Sequence, residues 1–280
     1  MTSAAQTVPA LFVSHGSPMI ALEPGAAGAF LQALGERWRA RFGAPAAIVS
    51  ISAHTSARVP VMLAAARHQA IHDFGPFDPR LFEMRYDAPG APALGKRVAA
   101  LLGDAGLAVQ QLDQGGLDHG AWTALRYLFP QAEIPVLPLA FVPSQPPQAQ
   151  FDLGQALAPL RDDNVMVLGS GSITHNLQRV FAGGIRADPD RPEIPQSRAF
   201  RDWFAERSAQ RDWTALFDYR RQAPHAVDMH PSDEHLLPWY VAAGAGGADA
   251  APLRLHDSVT YGALGMDAYA FGAAAALLAD

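Results

Sequence analysis

Three short apolar runs, at 8–13, 46–52 and 165–168, each lead directly into a segment that carries a histidine. The segments are Ser14-His15-Gly16-Ser17-Pro18, Ser52-Ala53-His54 and, beyond Gly169-Ser-Gly, Ser172-Ile-Thr-His175-Asn176. Apolar runs without polar alternation are the mark of strands buried on both faces. In an open α/β sheet the strand C-termini converge on one crevice, so histidines far apart in the chain meet in space. A fourth, His235, follows Asp233 and Glu234 in what reads as the acidic start of a helix. Imidazole is the commonest metal ligand, and the pattern predicts a metal site. The chain has no cysteine, so a divalent ion would be held by His with Asp or Glu.

Between the first two runs, Phe30, Leu34 and Trp38 recur every four residues, with Leu31 beside them and Glu36, Arg37, Arg39 and Arg41 on the other face. That is an amphipathic helix, and strand, helix, strand makes a right-handed βαβ unit. The alternation continues with strands expected at 59–63, 134–141 and 165–168. Helices are expected around Leu94, Val98 and Leu102, around Trp122 and Leu125 with Asp118 as a cap, and around Leu153, Leu157 and Leu160. Ser197 is the expected N-cap of a helix presenting Phe200, Trp203 and Phe204, and 268–278 reads as a C-terminal helix. Pro and Gly mark loops at 72–79, 143–148, 183–195 and 244–252, none of them a domain linker. The expectation is one α/β domain over 1–280, a mostly parallel or mixed sheet with helices on both faces and the site at the strand C-terminal ends.

Composition narrows the function. The 280 residues suffice to bury roughly three quarters of the unfolded surface without disulfides. With 21 Lys and Arg against 27 Asp and Glu, the net charge is −6 and the basic residues form no stripe, which disfavours a nucleic-acid partner. The longest uncharged apolar stretches are far shorter than the ~18 residues of a membrane span. No Lys or Arg precedes Arg37, so the basic region of a signal peptide is missing and a cytoplasmic location is expected. P-loop, HExxH and G-x-G-x-x-G motifs are absent, and Gly169-Ser-Gly-Ser172 does not have the spacing of a nucleophile elbow.

His15 and His54 occupy equivalent turns after buried strands, which favours the ligand reading for both. The third ligand stays open between Glu234 and His235, both near a helix start marked by Pro238. His119, beside Gly120, reads as turn-like and open to a cleft. His68, His72, His225, His230 and His256 read as structural or solvated, with His72 and His230 the two nearest to motifs.

Seven motifs taken together resemble a known family: Phe12-Val-Ser-His-Gly-Ser-Pro18, Ile51-Ser-Ala-His54, Ile71-His-Asp-Phe-Gly75, Tyr86-Asp-Ala-Pro-Gly90, Leu117-Asp-His-Gly-Ala-Trp122, Gly169-Ser-Gly-Ser-Ile-Thr-His-Asn-Leu177 and Glu234-His-Leu-Leu-Pro238. Over nearly its whole length the chain resembles the class III, LigB-type, extradiol ring-cleavage dioxygenases, most closely the single-chain branch that includes the DOPA 4,5-extradiol dioxygenases. The resemblance implies His15, His54 and His235 as metal ligands, His175 as acid/base and His119 as a substrate contact. It further implies Fe(II) for activity, a site that also accepts Zn(II), and a small catecholic substrate with O₂. Many ring-cleavage enzymes use two His and one carboxylate, whereas the equivalent third position here is His235 with Glu234 beside it. Arg58, Arg80, Arg85 and Arg179 are the candidates to grip a substrate carboxylate, and the 183–195 loop matches no motif.

Two other readings use the same residues. A zinc hydrolase would employ three histidines to acidify a bound water, with His175 shuttling protons. A non-catalytic binding protein on the same scaffold would be expected to have lost at least one of these histidines.

Overall fold

The computed structural model describes residues 7–183 and 188–279. In chain order its strands are β1 (Ala10–Ser14), β2 (Ala47–Ser52), β3 (Val61–Leu63), β4 (Arg67–His68), β5 (Ala88–Pro89), β6 (Gln110–Leu112), β7 (Val136–Ala140), β8 (Val165–Gly171), β9 (Leu253–His256), β10 (Val259–Thr260), β11 (Leu264–Gly265) and β12 (Ala268–Phe271). The helices are α1 (Gly25–Phe42), α2 (Pro92–Asp104), α3 (His119–Leu128), α4 (Pro147–Leu157), α5 (Leu177–Val180), α6 (Pro195–Gln210), α7 (Trp213–Phe217), α8 (Tyr219–Gln222), α9 (Ala226–Met229) and α10 (Leu237–Gly246). Eight strands form one mixed sheet in the order β6-β3-β7-β2-β8-β1-β12-β9, while β4–β5 and β10–β11 are small separate ribbons.

The centre of the sheet is parallel, as the unalternating apolar runs require. β8 lies between β1 and β2, with Ser14 opposite Gly171 and Ser52 opposite Ser170, so the strands bearing the three histidine segments end side by side. Alternate residues feed two cores. Phe12, Val49, Ile51 and Val167 pack with Phe151 and Leu157 of α4, Phe204 of α6, and Trp239 of α10. Leu11, Val13, Ile48 and Leu168 pack with Leu31, Leu34 and Trp38 of α1, and Trp122 and Leu125 of α3. Among the described residues no helix is long and apolar enough to cross a membrane.

Three local expectations are corrected. The segment at 268–278 is not a helix: 268–271 is β12, antiparallel to β1, followed by a short 3-10 turn at Ala275–Leu278. Its alanines suggest helix, but Tyr269 and Phe271 enter one core while Ala268 and Ala270 enter the other, the two-residue period of a strand. Ser197 does not cap α6; Pro195 opens the helix after Ile194, and the Ser197 hydroxyl donates to Glu193 from within the first turn. The loop expected from 244 begins later, because α10 runs through Gly246. A side chain at Gly244 would place its Cβ 1.9 Å from the Phe151 carbonyl oxygen, so this glycine serves close helix packing rather than a turn. Part of the 183–195 segment lies outside the described residues.

A buried ionic latch holds the β10–β12 region against α6. Arg201, 2% exposed, donates to Asp267 through Nε at 2.8 Å and to Glu193 through Nη1 at 2.9 Å, and also pairs with Asp257. The Asp267 main-chain oxygen in turn accepts bonds from the backbone N–H and the hydroxyl of Ser14, the residue before His15. Replacing Arg201 leaves the Asp267 carboxylate buried without its main partner. We expect Arg201→Met to lose about 3–5 kcal/mol of stability in urea unfolding and Arg201→Met/Asp267→Asn to lose less than the sum of the single changes; additive losses would mean that the two groups are not coupled.

Candidate metal centre and active site

His15 and His54 leave the ends of β1 and β2, and His235 lies in the turn that enters α10. The rims of these elements close because β8 presents small residues. A Cβ at Gly171 would stand 2.0 Å from the His235 carbonyl oxygen and one at Gly169 2.3 Å from that of Pro238, so only glycine lets the start of α10 lie on the sheet here. The Ser172 N–H donates to the same His235 carbonyl at 2.8 Å, fixing the turn.

The result is a cluster of five imidazoles. Nε2 of His54 lies 3.1 Å from Nε2 of His15 and 3.3 Å from Nε2 of His235. His119 stands over His54 with ring centroids 3.9 Å apart, and His175 stacks on His235 at 3.4 Å and 7°. The ligand atoms of His15, His54 and His119 lie within 4.8 Å of one another, and so do those of His175, Glu234 and His235, so either set could hold a metal ion.

Hydrogen bonds at the outer nitrogens decide where the protons sit. Glu234 Oε1 accepts from His235 Nδ1 at 3.1 Å. Asp73 Oδ1 accepts from both the backbone N–H and Nδ1 of His119, at 2.9 and 3.1 Å, and its Oδ2 lies 3.8 Å from His54 Nδ1. The Ser170 hydroxyl stands 3.0 Å from His15 Nδ1. A carboxylate has no proton to give, so His235 and His119 carry theirs on Nδ1 and turn a lone pair inward at Nε2.

Burial, reinforced by the neighbouring imidazoles, holds His15 and His235 well below the ordinary imidazole range. Burial also lowers His54, with His119 adding to it and Asp118, Asp73 and Glu234 opposing. Neutral rings with inward lone pairs are what a cation needs as ligands. The two spacings about His54, 3.1 Å to His15 and 3.3 Å to His235, are close to the roughly 3.3 Å between nitrogens of tetrahedral ligands on an ion at ~2.0–2.1 Å.

His175 follows β8 and is anchored by its backbone N–H on the Met229 carbonyl, while Asn176 beside it caps α5. Burial first, then His230, pulls its ring down to about 3. Among the described residues no group bonds its ring nitrogens. His119 is not the turn residue expected from sequence: it is the first residue of α3, buried, with Asp118 capping the helix and accepting from Ser52 and Thr55.

The other histidines lie outside the cluster. His72 bonds the Met84 carbonyl among Phe74, Phe82 and Trp122, His68 is buried in the β4–β5 ribbon, His225 is exposed and His256 stacks on Phe30. Of the arginines, Arg80 pairs with Asp78 and Arg179 with Asp228, whereas Arg58 and Arg85 are exposed. Asp73 and Ser170 carry no role in the sequence reading, although both lie inside its motifs.

His230 borders the cluster. Its Nε2 donates to the Ile173 carbonyl at 2.8 Å, and burial pulls it down to about 4 against that bond. An unfolded histidine titrates near 6.5, so as pH falls from about 6.5 towards 4 the unfolded chain takes a proton that the native state refuses. Stability is complete above that window and is lost on going down through it, by about 3 kcal/mol for this group. In metal-free protein, His230→Gln should flatten the fall in unfolding free energy between pH 7 and 4 by about that amount; an unchanged slope would contradict the assignment.

Known proteins match this chain over the same span as the site. The family model described as the catalytic LigB subunit of aromatic ring-opening dioxygenase matches residues 9–272. A Beta vulgaris protein named 4,5-DOPA dioxygenase extradiol is 34% identical, covering 93% of this chain and 95% of its own length. One of the same name from Escherichia coli K12 is 34% identical over 85% of each chain. The crystal structure of an uncharacterized Escherichia coli K12 protein superposes with a TM-score of 0.75 at 27% identity, covering 95% of this chain and all of that one. On the family match and these identities, the chain belongs to the LigB family of aromatic ring-opening dioxygenases.

Proposed function

We propose that this protein is an extradiol dioxygenase that opens a catecholic ring with O₂ to a muconate semialdehyde, with His15, His54 and His235 holding iron(II). The observation that carries the reading is that Nε2 of His54 lies 3.1 Å from that of His15 and 3.3 Å from that of His235, with the proton of His235 held on its outer nitrogen. His235 is preferred to His119 as third ligand because its Nε2 adjoins that of His54 directly. Glu234 stays outside, its Oε1 engaged by His235 and by the Ser232 hydroxyl. Iron(II), when bound, would supply the redox chemistry needed to bring O₂ into reaction with a catechol, which zinc lacks.

The protein's own residues move the protons. His175, neutral and with ring nitrogens that no described residue bonds, takes the proton of one catechol hydroxyl and returns it as the ring opens. His119, whose Nδ1 proton is held by Asp73, turns Nε2 to accept a hydrogen bond from the second hydroxyl. The names of the relatives support a DOPA-like catechol. Three neutral imidazoles without a direct carboxylate also suit a hydrolytic zinc centre, which is the competing reading.

Stripped protein reloaded anaerobically with Fe(II) or Zn(II) separates them. With DOPA, caffeate or protocatechuate, the iron form should consume O₂ and form a yellow semialdehyde, and the zinc form should not; no uptake with stoichiometric iron would overturn the dioxygenase. In the iron form, His175→Gln should keep its metal and lose turnover by ~10²-fold or more. Unchanged turnover would remove His175 from proton transfer.

A further inference from the structure

The alternation Gly169-Ser170-Gly171-Ser172 is not a nucleophile elbow, yet it lies at the centre of the site. Its glycines face α10 and admit the His235–Pro238 turn. Ser170 points to the opposite face of the sheet, where it is completely buried. There its Oγ lies 2.6 Å from the carbonyl oxygen of Gly120 and 3.0 Å from Nδ1 of His15. A carbonyl only accepts, so the single hydroxyl proton of Ser170 goes to Gly120. Its oxygen is then left to accept, and the partner at His15 must be an N–H.

We propose that Ser170 is a positioning residue for the metal ligand His15, holding its proton on Nδ1 so that Nε2 faces the ion. The inference rests on His15 being a ligand, as read above. The same hydroxyl ties His15 to the first turn of α3, one residue from His119, so a single side chain sets the relative position of a metal ligand and a substrate contact. Close packing supports the tie: a Cβ at Gly120 would stand 3.0 Å from the His15 ring and 2.5 Å from the Ser52 hydroxyl. Partners that orient the outer nitrogen of a ligating histidine typically contribute 10–100-fold in metal affinity.

The test uses zinc alone as probe, with affinity measured by competition against a chromophoric chelator. Ser170→Ala should bind zinc about 10–100-fold more weakly. Ser208→Ala, which removes another buried hydroxyl that among the described residues bonds only the Phe204 carbonyl, should bind as the wild type does. Long-range ¹H–¹⁵N spectra of the zinc-loaded wild type give a second measurement that needs no variant to fold: His15 should show a slowly exchanging proton on Nδ1 and zinc on Nε2. Wild-type affinity in Ser170→Ala, or a His15 proton on Nε2, would overturn the proposal. His15→Ala distinguishes the two levels: if it abolishes zinc binding while Ser170→Ala binds zinc as tightly as the wild type, only the role of Ser170 fails, and if His15→Ala binds zinc normally, the ligand assignment fails as well.

Discussion

Three imidazole lone pairs directed at one another with too few protons between them are the constraint on which the rest of the site depends. His235 donates its Nδ1–H to Glu234, and His15 faces Ser170, so His54 alone could bridge the gap by hydrogen bonding and could satisfy only one neighbour well. A cation held as proposed by His15, His54 and His235 would satisfy all three. Burial keeps the rings neutral and removes the competition of protons for the same lone pairs.

The fold produces this by register and by residue size. β1, β8 and β2 are parallel neighbours whose ends are level, so successive crossovers return the chain to the same rim. Glycine on one face of β8 admits the His235 turn and serine on the other reaches His15, which makes one strand the common support of two of the proposed ligands from opposite sides. The Arg201 latch reaches the same rim from behind, through the Asp267 carbonyl that receives both polar groups of Ser14. Stability and site geometry therefore share a short set of buried polar contacts.

What was legible in the sequence is what depends on local pattern. The unalternating runs before His15, His54 and His175 read correctly as central parallel strands, and the seven motifs lead to the family that the chain belongs to. Asp73 and Ser170 were hidden because their meaning lies in partners 46 and 155 positions away, which no local pattern encodes. The question of Glu234 or His235 as third ligand is equally tertiary, since adjacent residues differ only in which one the turn directs toward His54. β12 was misread because alanine-rich segments score as helix, and only the sheet edge offered by β1 makes this one extended.

The most direct measurement is a crystal structure of zinc-loaded protein with anomalous data at the zinc edge. One peak at about 2.0–2.1 Å from Nε2 of His15, His54 and His235 together is the expected result. A peak held by His15, His54 and His119, or by His175 and Glu234, would contradict the assignment.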